Sequence, residues 1–173
     1  MAGFAGIGKT TFCDRMEHAI DFGCMPYKYG KFQEIIEESG NCEEIKAHPD
    51  LVLNPEWPDN YCDALIERSQ NQPEEYIVIP SDYFVLWQLA QRGIPYLLCY
   101  PIESAKEEYQ RRFLERGNRK DFLEVFIGSW DYWMALLRHD THGIPVELEE
   151  FEFLTDVKDK IYGIVQAYGN IGT

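Results

Sequence analysis

The chain has 173 residues, enough for one compact domain with its own core, and 45% hydrophobic with 14% aromatic content is a globular composition. A formal net charge of −14 repels phosphate backbones and acidic lipid surfaces, which sets nucleic-acid polymers and membranes aside as partners. It leaves room for a small nucleotide, because a local nest of backbone N–H groups with one lysine can hold phosphates against the global field.

The chain opens on Gly3-Phe4-Ala5-Gly6-Ile7-Gly8-Lys9-Thr10, which fits the pattern GxxxxGK[ST] at every defined position, and Thr11 extends it. In such a loop the glycines let the backbone curl so that successive N–H groups face a phosphate. Lys9 is expected to meet the β- and γ-oxygens, and the Thr10 hydroxyl a Mg²⁺ ion, at the start of a helix over Thr10–His18. A buried strand should precede the motif, yet only Met1 and Ala2 stand before Gly3. The first strand, the central one of such a sheet, is therefore expected to be truncated or missing, through an upstream start or a degenerate first strand.

Ala19-Ile20-Asp21-Phe22 reads as a short strand, and Lys31–Lys46 as a polar helical insertion. The two prolines of Asn54-Pro55-Glu56-Trp57-Pro58 make a turn, and Asp59–Gln70 a helix. Tyr76–Ile79 and Tyr96–Tyr100 are continuous apolar runs, as expected of parallel strands covered on both faces, with Asp82–Arg92 as the crossover helix between them. Glu103–Arg116 and Lys120–Arg138 read as helices, the second with Phe122, Phe126, Trp130, Trp133 and Leu137 along one core-facing side. Phe151–Leu154 reads as a last strand. Thr155 or Asp156 caps a final helix whose Val157, Ile161, Ile164, Val165 and Tyr168 face inward. One domain over residues 1–173 is expected, with 31–57 and 117–127 as insertion or lid segments.

The five cysteines, Cys13, Cys24, Cys42, Cys62 and Cys99, are odd in number and form no CxxC pair. They read as free thiols in a reducing cytoplasm. No apolar run approaches the roughly 20 residues of a membrane span, and Gly3–Thr10 breaks any signal-peptide core. His18, His48, His139 and His142 show no metal-ligand spacing and no triad with a serine.

At the glycine loop the sequence resembles the P-loop NTPase superfamily, and in size, alternation and arginine placement it looks most like the nucleoside-monophosphate-kinase-like (adenylate-kinase-like) small-molecule kinases. The resemblance implies a three-layer α/β fold with a mainly parallel sheet flanked by helices, Mg-ATP as phosphoryl donor and an arginine-bearing lid. It also implies that Gly3, Phe4, Ala5, Gly6, Ile7, Gly8, Lys9, Thr10 and Thr11 cradle ATP. Arg112, Arg116 and Arg119, spaced by four and three, share one face if their helix continues, and resemble lid arginines; pairing with Glu107, Glu108 and Glu115 is the alternative use. Arg112 and Arg116 join Lys9 and Asp21 as catalytic candidates, and Arg119 joins the ATP contacts. Thr10 and Asp82 are the metal candidates, although Ser81-Asp82 also reads as a helix N-cap. Asp21 or Asp82 would orient the metal or the acceptor hydroxyl. Trp57 and Tyr61 could stack on a planar acceptor or pack under a loop.

The function expected is a kinase moving the ATP γ-phosphoryl group to a nucleotide or other small molecule. A non-kinase regulatory module that binds or slowly hydrolyses nucleotide is the alternative, and a relic that has lost binding is the third reading.

Overall fold

The computed structural model describes residues 1–39 and 51–169. Five parallel strands form one sheet: β1 (Ala2–Gly3), β2 (Ala19–Asp21), β3 (Tyr76–Pro80), β4 (Tyr96–Pro101) and β5 (Gly143–Leu148), in the order β2-β3-β1-β4-β5. The apolar runs occupy the middle: Ile77, Val78 and Ile79 of β3 and all six residues of β4 are buried. Helices cover the sheet, so the architecture is α/β with an all-parallel sheet.

The first strand is short and central, as expected. Ala2 lies in register with Ile79 on one side and Leu98 on the other. Flanking bonds lengthen this ladder: Met1 N donates to Ile77 O at 2.7 Å, Ile79 N to Met1 O at 2.8 Å and Phe4 N to Cys99 O at 3.0 Å. Bonds on both sides let two assigned residues hold a place that a strand bonded on one side could not.

The connection β1→β2 leaves to one side of β1, whereas β3→β4 and β4→β5 lead to the other. Right-handed crossovers therefore put α1 (Lys9–Arg15) on one face, and α5 (Tyr83–Gln91) and α8 (Trp130–Arg138) on the opposite one. Helix α4 (Asp59–Asn71) lies against α5, where Gln88 Nε2 donates to Asp59 Oδ1 at 2.8 Å. Between β2 and α4 come α2 (Met25–Lys28) and α3 (Phe32–Ser39), which share a small second cluster of Phe32 and Ile35 with Met25, Tyr29, Ile36 and Leu51. The rest of the insertion expected over Lys31–Lys46 lies outside the described residues.

Several sequence expectations are corrected. The fifth strand is Gly143–Leu148; Phe151–Leu154 is irregular chain. Pro145 hides this strand from a sequence reading, but β5 is an edge, where a residue without an N–H is tolerated. Gly143 fits there because a Cβ would stand 2.7 Å from the Tyr96 ring.

The helix expected over Glu103–Arg116 begins as a 3₁₀ turn, Glu103–Ala105, and α6 (Lys106–Glu115) ends before Arg116, where Gly117 takes φ +72°. The expected helix Lys120–Arg138 is broken into α7 (Lys120–Leu123), a π turn over Glu124–Gly128, and α8. Trp133 Nε1 donates to Val125 O at 2.8 Å across that break. The last helix, α9 (Lys158–Gly169), starts after Val157, which is buried along with Ile161; Val165 and Tyr168 point outward instead.

The core is strongly aromatic on the α6–α8 side. Phe4, Tyr109, Phe113 and Trp130 are fully buried, and Phe4 meets Trp130 edge to face with centroids 5.7 Å apart. Such pairs add about 1 kcal/mol beyond the area they bury. Phe4 belongs to the glycine loop, so the loop is rooted in the core it borders. Among the described residues no helix is long and apolar enough to cross a membrane.

Candidate functional site

Strands β1 and β4 are neighbours whose connections leave their carboxyl ends in opposite directions, and open α/β sheets bind ligands in the crevice at such a point. The glycine loop occupies it. Gly6 and Gly8 both take positive φ, 79° and 87°, with Ile7 between them outside the left-handed region. That alternation turns successive N–H groups toward one concave side. Space also demands glycine: a Cβ on Gly3 would stand 2.6 Å from Ile7 Cδ1, and one on Gly6 2.6 Å from the Phe113 ring. Phe4 and Ile7 are buried as anchors, and Leu154 N donates to Ile7 O at 2.9 Å from behind.

Lys9 folds back under the loop, its ammonium donating to Gly3 O at 3.0 Å and Phe4 O at 2.9 Å. Burial pulls its pKa down to about 8; Asp21 opposes that shift, and Arg116 adds to it. Thr10 Oγ1 donates to Asp21 Oδ2 at 2.9 Å, so the end of β2 is brought to the start of α1. The hollow above the loop has a volume of about 570 Å³ and is bounded by Gly8, Lys9, Thr10, Arg112, Arg116 and Phe153, among others. A smaller hollow of about 280 Å³ between α5 and α8 contains none of the expected site residues.

The three arginines expected to act together separate. Arg112 is 5% exposed. It donates to Glu108 Oε1 at 2.8 Å, Glu150 O at 3.0 Å and Glu152 O at 3.2 Å, and its guanidinium lies 4.0 Å from the Phe153 ring centroid. This side chain braces α6 against the chain after β5; the pairing read as the alternative use is the one observed at Arg112. Arg116, one turn on, is exposed, and its side chain lines the hollow with no hydrogen bond or ion pair among the described residues. Arg119 is off their shared face because the helix has ended, and it pairs with Asp121 at 3.5 Å. It does not line the hollow.

The two carboxylates also separate. Asp21 faces Thr10, whereas Asp82 caps α5 by accepting from Phe84 N at 3.0 Å and pairs with Lys28 at 2.8 Å. Of the two carboxylates offered for the metal, Asp21 is the one hydrogen-bonded to Thr10. Trp57 and Tyr61 do lie together, with centroids 5.7 Å apart, and Tyr61 is fully buried under Phe22, Tyr27 and Trp57.

Two contributors were not foreseen. Arg111 lines the hollow and binds both Glu108 oxygens, at 2.7 and 2.8 Å; its i−3 carboxylate was visible in the sequence. Phe153 covers Gly8, where a Cβ would stand 3.1 Å from its ring, and nothing in its local pattern distinguishes it from a strand residue. Among the described residues no group of three or more His, Cys, Asp or Glu could hold a metal ion. No family model, curated protein or solved structure matches the chain.

Proposed function

We propose that the chain is a P-loop kinase that moves the γ-phosphoryl group of ATP to a small molecule. One observation carries this reading. A GxxxxGK[ST] loop sits at the carboxyl end of the central strand, at the point where the chain connections diverge, and Lys9, Thr10 and Arg116 border the same hollow.

The residues suit each part of such a reaction. The concave turn at Gly6 and Gly8 offers N–H groups to the β-phosphate. Lys9 reaches the β- and γ-oxygens by exchanging the carbonyls of Gly3 and Phe4 for phosphate. Arg116, whose side chain has no partner among the described residues to give up, meets the charge that spreads over the γ-phosphoryl oxygens as they move. Thr10 Oγ1 and Asp21 Oδ2 are adjacent hard oxygen donors. They fit Mg²⁺, which is commonly held by one or two protein oxygens together with substrate phosphates and water. That ion would neutralise phosphate charge; Thr10 and Asp21 would fix its position. Arg112 holds α6 and Phe153 in place and makes no contact with phosphate.

The regulatory-module reading keeps one observation in its favour: Asp82 is committed to a helix cap and to Lys28, so it is not held beside Thr10. Steady-state ADP release separates the two. A kinase releases ADP faster when an acceptor is added, whereas a binding module shows the same slow rate with every acceptor. The latter result, with ATP bound, would remove the kinase reading.

A further inference from the structure

Helix α5 (Tyr83–Gln91), alone among the described α-helices, contains no charged residue, although 27% of the sequence is charged. A helix that is apolar on every side is normally enclosed. Here Val85, Leu86 and Leu89 are buried in the core, but Tyr83, Phe84 and Trp87 stand 49%, 58% and 51% exposed. The charges bordering this face are already paired. Asp82 holds Lys28 and Phe84 N, and Arg92 holds Asp59 at 2.6 Å and Asp63. Across the hollow that separates α5 from α8, Asp140 accepts from the Tyr96 hydroxyl at 2.7 Å and from His142 N and Gly143 N at 2.8 and 2.7 Å. On α8, Asp131 and Arg138 pair with Lys106 and Glu103, and neither lines the hollow. Leu136 and His139 do line it, and the exposed Tyr132 continues their stripe at a spacing of four and three.

This face combines a projection with a recess. The hollow, about 280 Å³, is walled by Leu86, Ala90, Tyr96 and Leu137, with Tyr83 and Trp87 half-exposed beside them. A cavity of about 150 Å³ takes a benzene ring, so this one admits an aromatic side chain. Phe84 stands next to the hollow without lining it, its ring centroid 5.7 Å from that of Tyr83. A surface that offers both a ring and a recess matches its own copy across a twofold axis, because each copy fills the recess of the other. Few charges and many aromatic rings are also the composition of an interface core. We propose that a second copy of this chain covers the face, in a twofold dimer that sets α5 of each copy against the α5–α8 hollow of the other. The proposal is independent of what the glycine loop binds.

The size of the face sets the strength of the contact. At roughly 200 Å² per aromatic side chain, the open parts of Tyr83, Phe84, Trp87 and Tyr132 come to about 450 Å² per copy. A standard interface takes about 800 Å² per partner, so the exposed rim at Gln91, Thr141 and His142 supplies the remainder. Such a contact gives a dimer that dissociates on dilution. Charge sets the response to salt. Each copy carries −14, and an apolar face offers no ion pair against that repulsion. Salt shortens the screening length from about 10 Å at 0.1 M to about 3 Å at 1 M, so the dimer tightens as salt rises.

The test is sedimentation equilibrium of the full chain, from micromolar to submillimolar concentration, at the low and the high salt. The mass is expected to rise from one chain to two and no further, with a Kd about tenfold lower at high salt. Trp87→Glu and Phe84→Glu, each with the circular dichroism of the parent, are expected to raise the Kd at least tenfold. Having two such variants keeps the test intact if one of them does not fold. Leu114→Glu, an equally exposed apolar position on α6 outside this face, is expected to dimerise like the parent. A parent that stays a single chain at every concentration overturns the proposal, as does growth beyond two chains. So does a Kd that rises with salt, a dimer that survives in both Trp87→Glu and Phe84→Glu, or an equal loss in Leu114→Glu.

Discussion

The middle and the end of α6 use arginine in opposite ways. At Arg112 the guanidinium is sealed between Tyr109 and Phe153 and spends its donors on Glu108, Glu150 O and Glu152 O. At Arg116, four residues on, the same side chain stands in solvent beside the hollow with nothing in the described protein to bind. The difference is set by what each turn of the helix faces. One faces the carbonyls of the chain after β5, which need donors because that chain is irregular. The other is the C-cap, beyond the last packed residue. Helical spacing puts two arginines on one face, but it does not say which of them the fold consumes.

The comparison can be broken first at Arg116. Arg116→Ala is expected to lower acceptor-dependent turnover about a thousandfold, the lower end for an arginine that stabilises a transferring phosphoryl group. Urea unfolding of this variant should match the parent. A variant that unfolds early would make Arg116 a second brace and erase the contrast.

Arg112→Ala is expected to act on stability, by about 3 kcal/mol in urea unfolding, the lower end for breaking a buried ion pair because Glu108 keeps Arg111. An unchanged midpoint with lost turnover would reverse the two roles.

The pH dependence sharpens the same point. Hydrogen bonds from Arg111, then from Arg112, outweigh burial and hold the Glu108 carboxyl down from its ordinary 4.5 to about 2. A folded-state pKa below the unfolded one contributes stability that is full above pH 4.5 and lost as the pH falls toward 2. The parent is therefore expected to lose stability through that window more steeply than Glu108→Gln, measured by urea midpoints at stepped pH. Parallel curves would mean that Glu108 is not held by the brace.

The smallest effect is expected at Arg119. Arg119→Ala should leave both turnover and unfolding within error, because α6 stops short of it and it does not line the hollow. A tenfold loss of turnover would return it to the site.

Much of this was legible in the sequence. Tyr76–Ile79 and Tyr96–Tyr100 announced themselves because a strand covered on both faces must be apolar throughout. The glycine loop was legible because its φ values and close contacts tolerate little else, as the Gly3 and Gly6 contacts show. The fifth strand was not, because an edge strand can carry Pro145, whereas Phe151–Leu154 has a strand's composition without a neighbour to pair with. Asp82 was read both as metal ligand and as helix cap, and local chemistry could not decide between them. The cap is observed at Phe84 N, and beside it stands a partner that local chemistry could not show: Lys28, 54 residues away in sequence and 2.8 Å away in space. The break at Glu124–Gly128 was missed because one turn of π helix keeps the apolar side of the segment on the core while shifting its register.

The central claim is that the glycine loop, with its two-residue strand, binds nucleotide phosphate. It is tested most directly by calorimetric titration of Mg-ATP into the chain and into Lys9→Ala, each shown by circular dichroism to be folded. Saturable binding in the micromolar range, lost in Lys9→Ala, is the predicted result. A folded parent that gives no binding heat, or a Lys9→Ala variant that binds as well as the parent, would contradict the account.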